Sequence, residues 1–398
     1  MDKIFKIVFQ VTVGVILSSN VMAQGSMVTP IEGAYGQDYI IINYVDWGQD
    51  TSIKDAWCST KTYDFHQGTD FQIRNFAHMD SGVFVLAADT GIVIFTRDGE
   101  FDREKTGDPS KGLGNYIGIA HAGKLYTYYG HLRNGSLLVN VGDPVLPGTR
   151  IAQVGSSGNS SDPHLHFELW YDSLYYIDPF GGPCGNLDTY WKDPIPFDSS
   201  FQIWSSNMCN FILELDTLRE EPPHRDSFFV DDEAITYWSI LYGLRAGDAL
   251  KIDWFSPEGT LWHSFSYALD KDWWYYYYWT YINTPLSGNE GIWTVELSRN
   301  DQVVQAKDFY FSKTSAANQL VGQVNEIQSF TSGRHLHVKG HTIGSQIDVV
   351  NQLGLVVHSM KDSPTEVAIP CEHWPLGVYF IRVTTKTGEI RTLRIAIL

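Results

Sequence analysis

What most limits the folds open to this 398-residue chain is its lack of helical periodicity. From Val28 to about Pro196 short apolar runs alternate with Gly, Asp and Asn turns, and no convincing amphipathic helix interrupts them. Val83-Phe84-Val85-Leu86, Asp89-Thr90-Gly91 and Ile92-Val93-Ile94-Phe95 read as strand, turn, strand. Tyr116–Ala120 and Leu125–Tyr129 flank Ala122-Gly123 and read as a second hairpin after this one. Asp98–Gly112, charged and Gly-containing, reads as a loop inserted between strands, and the Gly155–Asp162 loop leads into a strand at Leu165–Trp170. Composition agrees: aromatic residues make up 14% of the chain and 35 residues are Gly, which favours strands and turns over a helical bundle. The expected fold class is all-β.

The same punctuation divides the chain. Met1–Lys6 carries two lysines, Ile7–Ser19 is mostly apolar, and Val21-Met22-Ala23 places small residues before Gln24. That pattern predicts a secretory signal peptide at 1–23, because the apolar run falls short of the ~20 residues that a membrane span needs. The mature chain is therefore expected outside the cytoplasm, secreted or at the cell surface, with no transmembrane span. Residues 24–196 form the first expected domain. Residues 197–312, with turn-bounded runs at Phe211–Leu215, Ala249–Phe255 and Ile292–Leu297, read as a small β-sandwich. Within it Trp273–Trp279 reads WWYYYYW, either a strand with aromatics on both faces or a stacking platform for sugar or peptide. Residues 313–319 read as a linker, and 320–398 as a second small β-sandwich closed by a hairpin. Export permits disulfides, but Cys58, Cys184, Cys209 and Cys371 allow three full pairings and sequence does not choose among them. The net charge of −18 argues against a nucleic-acid partner.

Three short stretches of the first domain carry chemistry: His66-Gln67-Gly68-Thr69-Asp70, Tyr129-Gly130-His131-Leu132 and His164-Leu165-His166-Phe167-Glu168. Residues i and i+2 of a strand face one side. His164 and His166 therefore share a face with Glu168 behind them, while Leu165 and Phe167 turn towards a core. His66 and Asp70 have the same parity and can converge in the same way. Two imidazoles and a carboxylate suit zinc, and a ligand position left open is the mark of a catalytic site. Cys58, eight residues before His66, adds a thiol that could cap such an open position. His335-Leu336-His337 repeats the H-L-H string with no Glu after it and no H-x-x-x-D upstream in its own segment. It reads as an alternating strand with solvent-facing imidazoles.

In this order the motifs resemble the lysostaphin/LytM family of zinc endopeptidases. The resemblance rests on H-x-G-x-D at His66–Asp70, on G-N-Y-I-G-I-x-H at Gly114–His121 followed by Y-x-x-Y-G-H-L at Tyr126–Leu132, and on G-x-S-G-x-S-x-x-P-H-L-H-F-E at Gly155–Glu168. It covers roughly Val28–Asp178. It implies a lysostaphin-type antiparallel β-sheet peptidase domain at 24–196 that carries one zinc ion. His66, Asp70 and His166 would be the metal ligands, and His131 and His164 the paired catalytic histidines. Glu168 would at most support a ligand. The implied substrate is bacterial cell-wall peptidoglycan, its cross-links or stem peptides. Pro375–Ile395, with P-L-G-V-Y-F-I-R-V and T-G-E-I-R-T-L-R-I, resembles type IX secretion sorting domains, which implies secretion machinery as a partner of 320–398.

Other readings stay open beside this one. The chain could be a silent relative that binds the wall or activates another hydrolase, a protease of glycine-rich secreted proteins, or an adhesin working through 197–312. Silent relatives usually lose a ligand, and the joint presence of His66, Asp70, His166, His131 and His164 favours catalysis.

Overall fold

A computed structural model of the chain describes residues 25–48, 51–105, 108–186, 188–285, 288–313, 328–332, 335–339, 343–351, 355–371, 373–375, 377–386 and 390–397. The expected signal peptide and residues 314–319 of the expected linker lie outside the described residues. The regular structure of the described chain is nearly all strand. It divides into two compact units, the first holding the described residues up to Phe228 with most of the chain to Phe311, the second mainly the chain from Ser312 on. Among the described residues no helix is long and apolar enough to cross a membrane.

Among the described residues ten strands open the first unit: β1 (Tyr39–Asn43), β2 (Thr69–Ile73), β3 (Phe84–Leu86), β4 (Gly91–Arg97), β5 (Tyr116–His121), β6 (Leu125–Gly130), β7 (Pro144–Val145), β8 (Arg150–Gln153), β9 (His164–Tyr171) and β10 (Tyr175–Ile177). Eight of them make one sheet in the order β1-β2-β9-β6-β5-β4-β7, with β10 also on β9. Every pairing in it is antiparallel. β9, late in sequence, therefore sits inside the sheet, between β2 and β6. Leu165, Phe167 and Leu169 of β9 are fully buried and pack with Ile41, Phe71, Ile73, Ile119 and Tyr129. Each such side chain contributes about 1.5–3 kcal/mol by leaving water, and this burial sets which face of β9 is left for polar groups.

Two expectations change here. β3 and β4 both form, but the turn between them does not pair them. β3 leaves the main sheet and pairs with β8, Phe84 opposite Gln153, while β4 lies between β5 and β7. A local turn reverses the chain; the burial of Val85 in the common core picks the partner. The second change is a helix, α1 (Phe76–Ser81). Asn75 caps it by accepting the His78 N–H at 2.8 Å, and Gly82 ends it at φ 88°. Six residues are too few to show a 3.6-residue period.

The rest of the first unit's described strands form two sheets. β11 (Gln202–Cys209), β13 (Ile235–Tyr242) and β16 (Tyr276–Ile282) form one. β12 (Ser227–Phe229), β14 (Ala249–Phe255), β15 (Leu261–Ala268), β17 (Gly291–Arg299) and β18 (Gln302–Ser312) form the other, in the order β12-β18-β17-β14-β15. The run Phe211–Leu215 is not the expected strand. It leads into a short helix, α2 (Leu215–Arg219), and its Leu213 joins Leu218 in covering Trp238. This half is bound to the first sheet: Ile40 of β1 packs on Tyr242 and Trp274, and buried Lys61 donates to the Asp198 carbonyl at 2.9 Å and to the Tyr242 hydroxyl.

Among the described residues the second unit shows seven strands: β19 (Gln328–Ser332), β20 (His335–Lys339), β21 (Ser345–Asn351), β22 (Val356–Ser363), β23 (Glu366–Pro370), β24 (Gly377–Thr384) and β25 (Ile390–Ile397). They form a β19-β20-β23 sheet and a β22-β21-β24-β25 sheet around Leu336, Ile347, Ile369 and Ile381. β24 and β25 make the expected closing hairpin. In β20, His335 is exposed while Leu336 and Val338 are buried, so the second H-L-H string is an ordinary alternating strand. Cys58 is bonded to Cys184, whereas Cys209 and Cys371 are free and buried. The disulfide removes Cys58 as a metal-capping thiol.

Candidate active site

The site grows from the register of β9. Alternation puts His164, His166 and Glu168 on the face opposite the buried Leu165, Phe167 and Leu169. On one side β2 brings Asp70 directly opposite His166. On the other, β6 brings Gly130 opposite His166. His131 follows immediately at φ 57°, a left-handed conformation that costs a non-glycine residue about 1–2 kcal/mol. Its backbone N–H is held by the Leu113 carbonyl at 2.8 Å. His66 arrives from the loop before β2. Gly68 lets that loop cross closely: a Cβ there would lie 2.6 Å from His166 Nε2 and 2.7 Å from the Phe167 carbonyl oxygen.

All five residues singled out in the sequence come together. His166 Nδ1 lies 2.8 Å from Asp70 Oδ1, and His66 Nε2 lies 3.2 Å from each of these two atoms. His164 Nε2 is 3.6 Å from Asp70 Oδ1. The His131 ring centre is 4.6 Å from that of His164 and 5.7 Å from that of His166. Cys58 and the two histidines of β20 take no part in the cluster.

Each imidazole has its tautomer assigned by the partner of its other nitrogen. His66 Nδ1–H donates to the Tyr44 carbonyl at 2.7 Å, leaving Nε2 as a lone pair. His166 Nε2–H donates to Glu168 Oε1 at 3.1 Å, leaving Nδ1. Glu168 is itself held by the Trp170 indole N–H at 2.6 Å. His131 donates through Nδ1 to the Ser157 carbonyl at 2.7 Å, and His164 through Nδ1 to the Asp162 carbonyl at 2.8 Å. The outcome is a test of fit for a metal. Three potential ligand atoms, His66 Nε2, Asp70 Oδ1 and His166 Nδ1, all on buried side chains, lie within 4.8 Å of one another. A metal ion can take the place of the proton that His166 Nδ1 shares with Asp70, and two imidazoles with one carboxylate match a catalytic zinc set.

The electrostatics agree. Burial alone would raise the Asp70 carboxyl, but His66, His164 and His166 overcome it and hold it well below its ordinary value. Burial would lower His166, yet Asp70 and Glu168 outweigh it and push it up to about 10. The same two carboxylates attract a metal ion in place of that proton. His131 is held well below its ordinary value by burial, with His164 and His166 adding to the effect, and burial also lowers His164. Both therefore stand neutral with a free Nε2.

Several contributors were not on the sequence list. Asn43 Nδ2 donates to Asp70 Oδ2 at 2.8 Å, from a strand 27 residues upstream that carries no motif. The Tyr44, Ser157 and Asp162 acceptors are backbone carbonyls, which leave no side-chain signature. Glu168 was visible by parity, but its bond to His166 required the strand to be built.

Residues 64–179 match Peptidase family M23. Over 110 residues the chain is 34% identical to the peptidoglycan DD-endopeptidase ShyA of Vibrio cholerae, covering 28% of this chain and 21% of that protein. Over 111 residues it is 33% identical to an uncharacterized metalloprotease of Buchnera aphidicola, covering 28% and 24% respectively. The solved catalytic domain of lysostaphin from Staphylococcus simulans is 26% identical, with a TM-score of 0.24, over 34% of this chain and 85% of that one. The chain thus spans about a quarter or less of the length of these two curated relatives. Within its 398 residues, the segment 64–179 is an M23 (LytM/lysostaphin-type) peptidase domain.

Proposed function

We propose that this chain is an exported zinc endopeptidase that hydrolyses peptide bonds in the cross-links or stem peptides of bacterial peptidoglycan. One observation carries the reading: three lone-pair atoms of His66, Asp70 and His166 converge beside the imidazoles of His131 and His164 in an M23-type domain. The substrate is supported by relatives named as peptidoglycan DD-endopeptidases, ShyA and ShyC of Vibrio cholerae. The signal-like 1–23 and the sorting-like 320–398 extend the proposal to delivery at the cell surface.

His66, Asp70 and His166 would hold one zinc ion. When bound, the ion supplies a Lewis-acid charge that polarises a carbonyl and lowers the pKa of water from ~15.7 towards 7. The remaining work falls to the chain's own groups. The Tyr44 carbonyl and Glu168 keep the His66 and His166 lone pairs turned inward. The Ser157 and Asp162 carbonyls hold the Nδ1 protons of His131 and His164, so each Nε2 is open to the cleft. An unprotonated Nε2 accepts the proton of the attacking water and, once protonated, returns it to the leaving amine or steadies the developing oxyanion. The pair shares these tasks.

The test compares the full chain with its His66→Ala variant. Bound zinc is measured by mass spectrometry, and new amino termini are counted after incubation with purified peptidoglycan. About one zinc per chain and wall cleavage, both lost in the variant, are expected. Cleavage of oligoglycine or elastin-like peptide in place of wall would move the substrate to glycine-rich protein. A folded wild-type chain that takes up no zinc would overturn the reading.

A further inference from the structure

The cavity that holds the site has two walls. One is made by Asp70, His131, His164 and the 159–162 loop. The other is the aromatic run that enters β16: Trp273, Tyr275, Tyr276, Tyr277 and Trp279 line the same cavity of about 590 Å³. That volume lies within the ~300–1,000 Å³ usual for a ligand site.

The second wall is pinned to the catalytic loop. Tyr277 Oη donates to Asp162 Oδ1 at 2.6 Å. Arg219 of α2 donates through Nε and Nη2 to the two Asp162 oxygens, at 3.0 and 3.2 Å. The Asp162 carbonyl in turn holds His164 Nδ1–H. One residue therefore ties the aromatic wall to a catalytic imidazole. Further along, Tyr275 Oη donates to the Arg74 carbonyl at 2.8 Å, and Trp274 Nε1 to the Thr60 carbonyl at 3.1 Å.

We propose that the Trp273–Trp279 segment is the second wall of the substrate cleft, and that it recognises the uncharged, extended stretch of peptide flanking the scissile bond. The inference rests on the peptidase reading above. Reach is the first argument. The wall stands one side chain away from the His164 loop, so what touches it in a bound substrate is the chain on either side of the bond being cut; a glycan ring lies a stem peptide away. Charge is the second. Apart from the histidines, the charged residues on this cavity are Asp70, which belongs to the metal set, and Asp162 with Arg219, which neutralise each other. Flat aromatic faces and hydroxyls remain, and these suit amide planes and small side chains rather than carboxylates or amines. Trp273 and Tyr276 are the contact residues. Their rings, 5.2 Å apart and partly exposed, make none of the pinning bonds.

The experiment uses the full chain carrying Trp273→Ala or Tyr276→Ala. Phe265→Ala, exposed on β15 and outside the cavity, is the control. The probe is a soluble, sugar-free cross-linked peptide dimer. Its cleavage gives kcat and KM, and calorimetric binding to chelator-treated protein gives a Kd independent of turnover. Both variants should raise KM and Kd roughly tenfold while kcat and zinc content hold, and the control should match wild type. Unchanged KM and Kd would overturn the proposal. A loss seen only with glycan-bearing muropeptides would overturn it too, because the wall would then hold sugar. A wild type that binds the dimer and cuts nothing would refute the peptidase reading, and the Kd arm would still decide the wall.

Discussion

Asp178 follows β10 with no exposure to solvent. Its Oδ1 accepts the Phe180 N–H at 2.9 Å, and the Trp47 indole N–H lies near the carboxyl without closing a full hydrogen bond to Oδ2. Burial raises its pKa to about 8, with nearby Asp55 adding to the rise. The sign follows from proton counting. Between the ordinary value of 3.8 and about 8 the folded chain keeps a proton that the unfolded chain has released, so stability falls as pH rises through that window. Two pH units below the folded pKa, at about 1.4 kcal/mol each, give a loss of about 3 kcal/mol between pH 6 and pH 9. Asp178→Asn keeps the shape and removes the ionisation. Lys61, which burial pushes down to about 7, moves stability in the opposite sense above neutrality, so the wild-type profile alone is not informative. Urea unfolding of wild type and variant side by side at pH 6, 7, 8 and 9 cancels every shared ionisation. The Asn variant should gain on wild type by about 3 kcal/mol across the series. A stability difference that stays constant with pH would refute the reasoning.

Three further outcomes are expected. Replacing Cys58 and Cys184 by Ser removes a cross-link across 126 residues and should cost about 3–5 kcal/mol; reductant should lower the melting temperature of wild type and leave the double variant unmoved. Glu168→Gln, which takes the charge from the partner of His166, should weaken zinc binding about 10–100-fold in a chelator competition while the fold's circular dichroism is unchanged. Gly68→Ala should loosen zinc in the same competition, because its Cβ would sit 2.6 Å from His166 Nε2 and either the imidazole or the loop must move.

Much of the site can be read from the chain because its logic is local. His164, His166 and Glu168 share a face by parity alone, and the residues between them, Leu165 and Phe167, say by their apolarity which face is inside. The β5–β6 hairpin is equally local, a turn between two apolar runs. Where the signal is short the reading fails. The six residues of α1 hold too little periodicity to be seen, and the apolar run at Phe211–Leu215 suits a strand as well as the short turn of helix it enters. The partner of β3 is misjudged for another reason: a turn records a reversal and nothing about which strand will lie alongside.

The sequence by itself determined the all-β class, the three ordered motifs and the residue types of the candidate site, because spacing and polarity along a strand translate directly into faces. Only the tertiary structure decided that β2 and β6 flank β9, so that Asp70 and Gly130 both meet His166. It also decided which carbonyls, from Tyr44, Ser157 and Asp162, orient the imidazoles, and that the aromatic run of Trp273–Trp279 shares a cavity with them. These are contacts between segments as many as 100 or more residues apart. Strand neighbours are chosen by the apolar surface buried over a whole sheet, a sum to which no local stretch of sequence gives access.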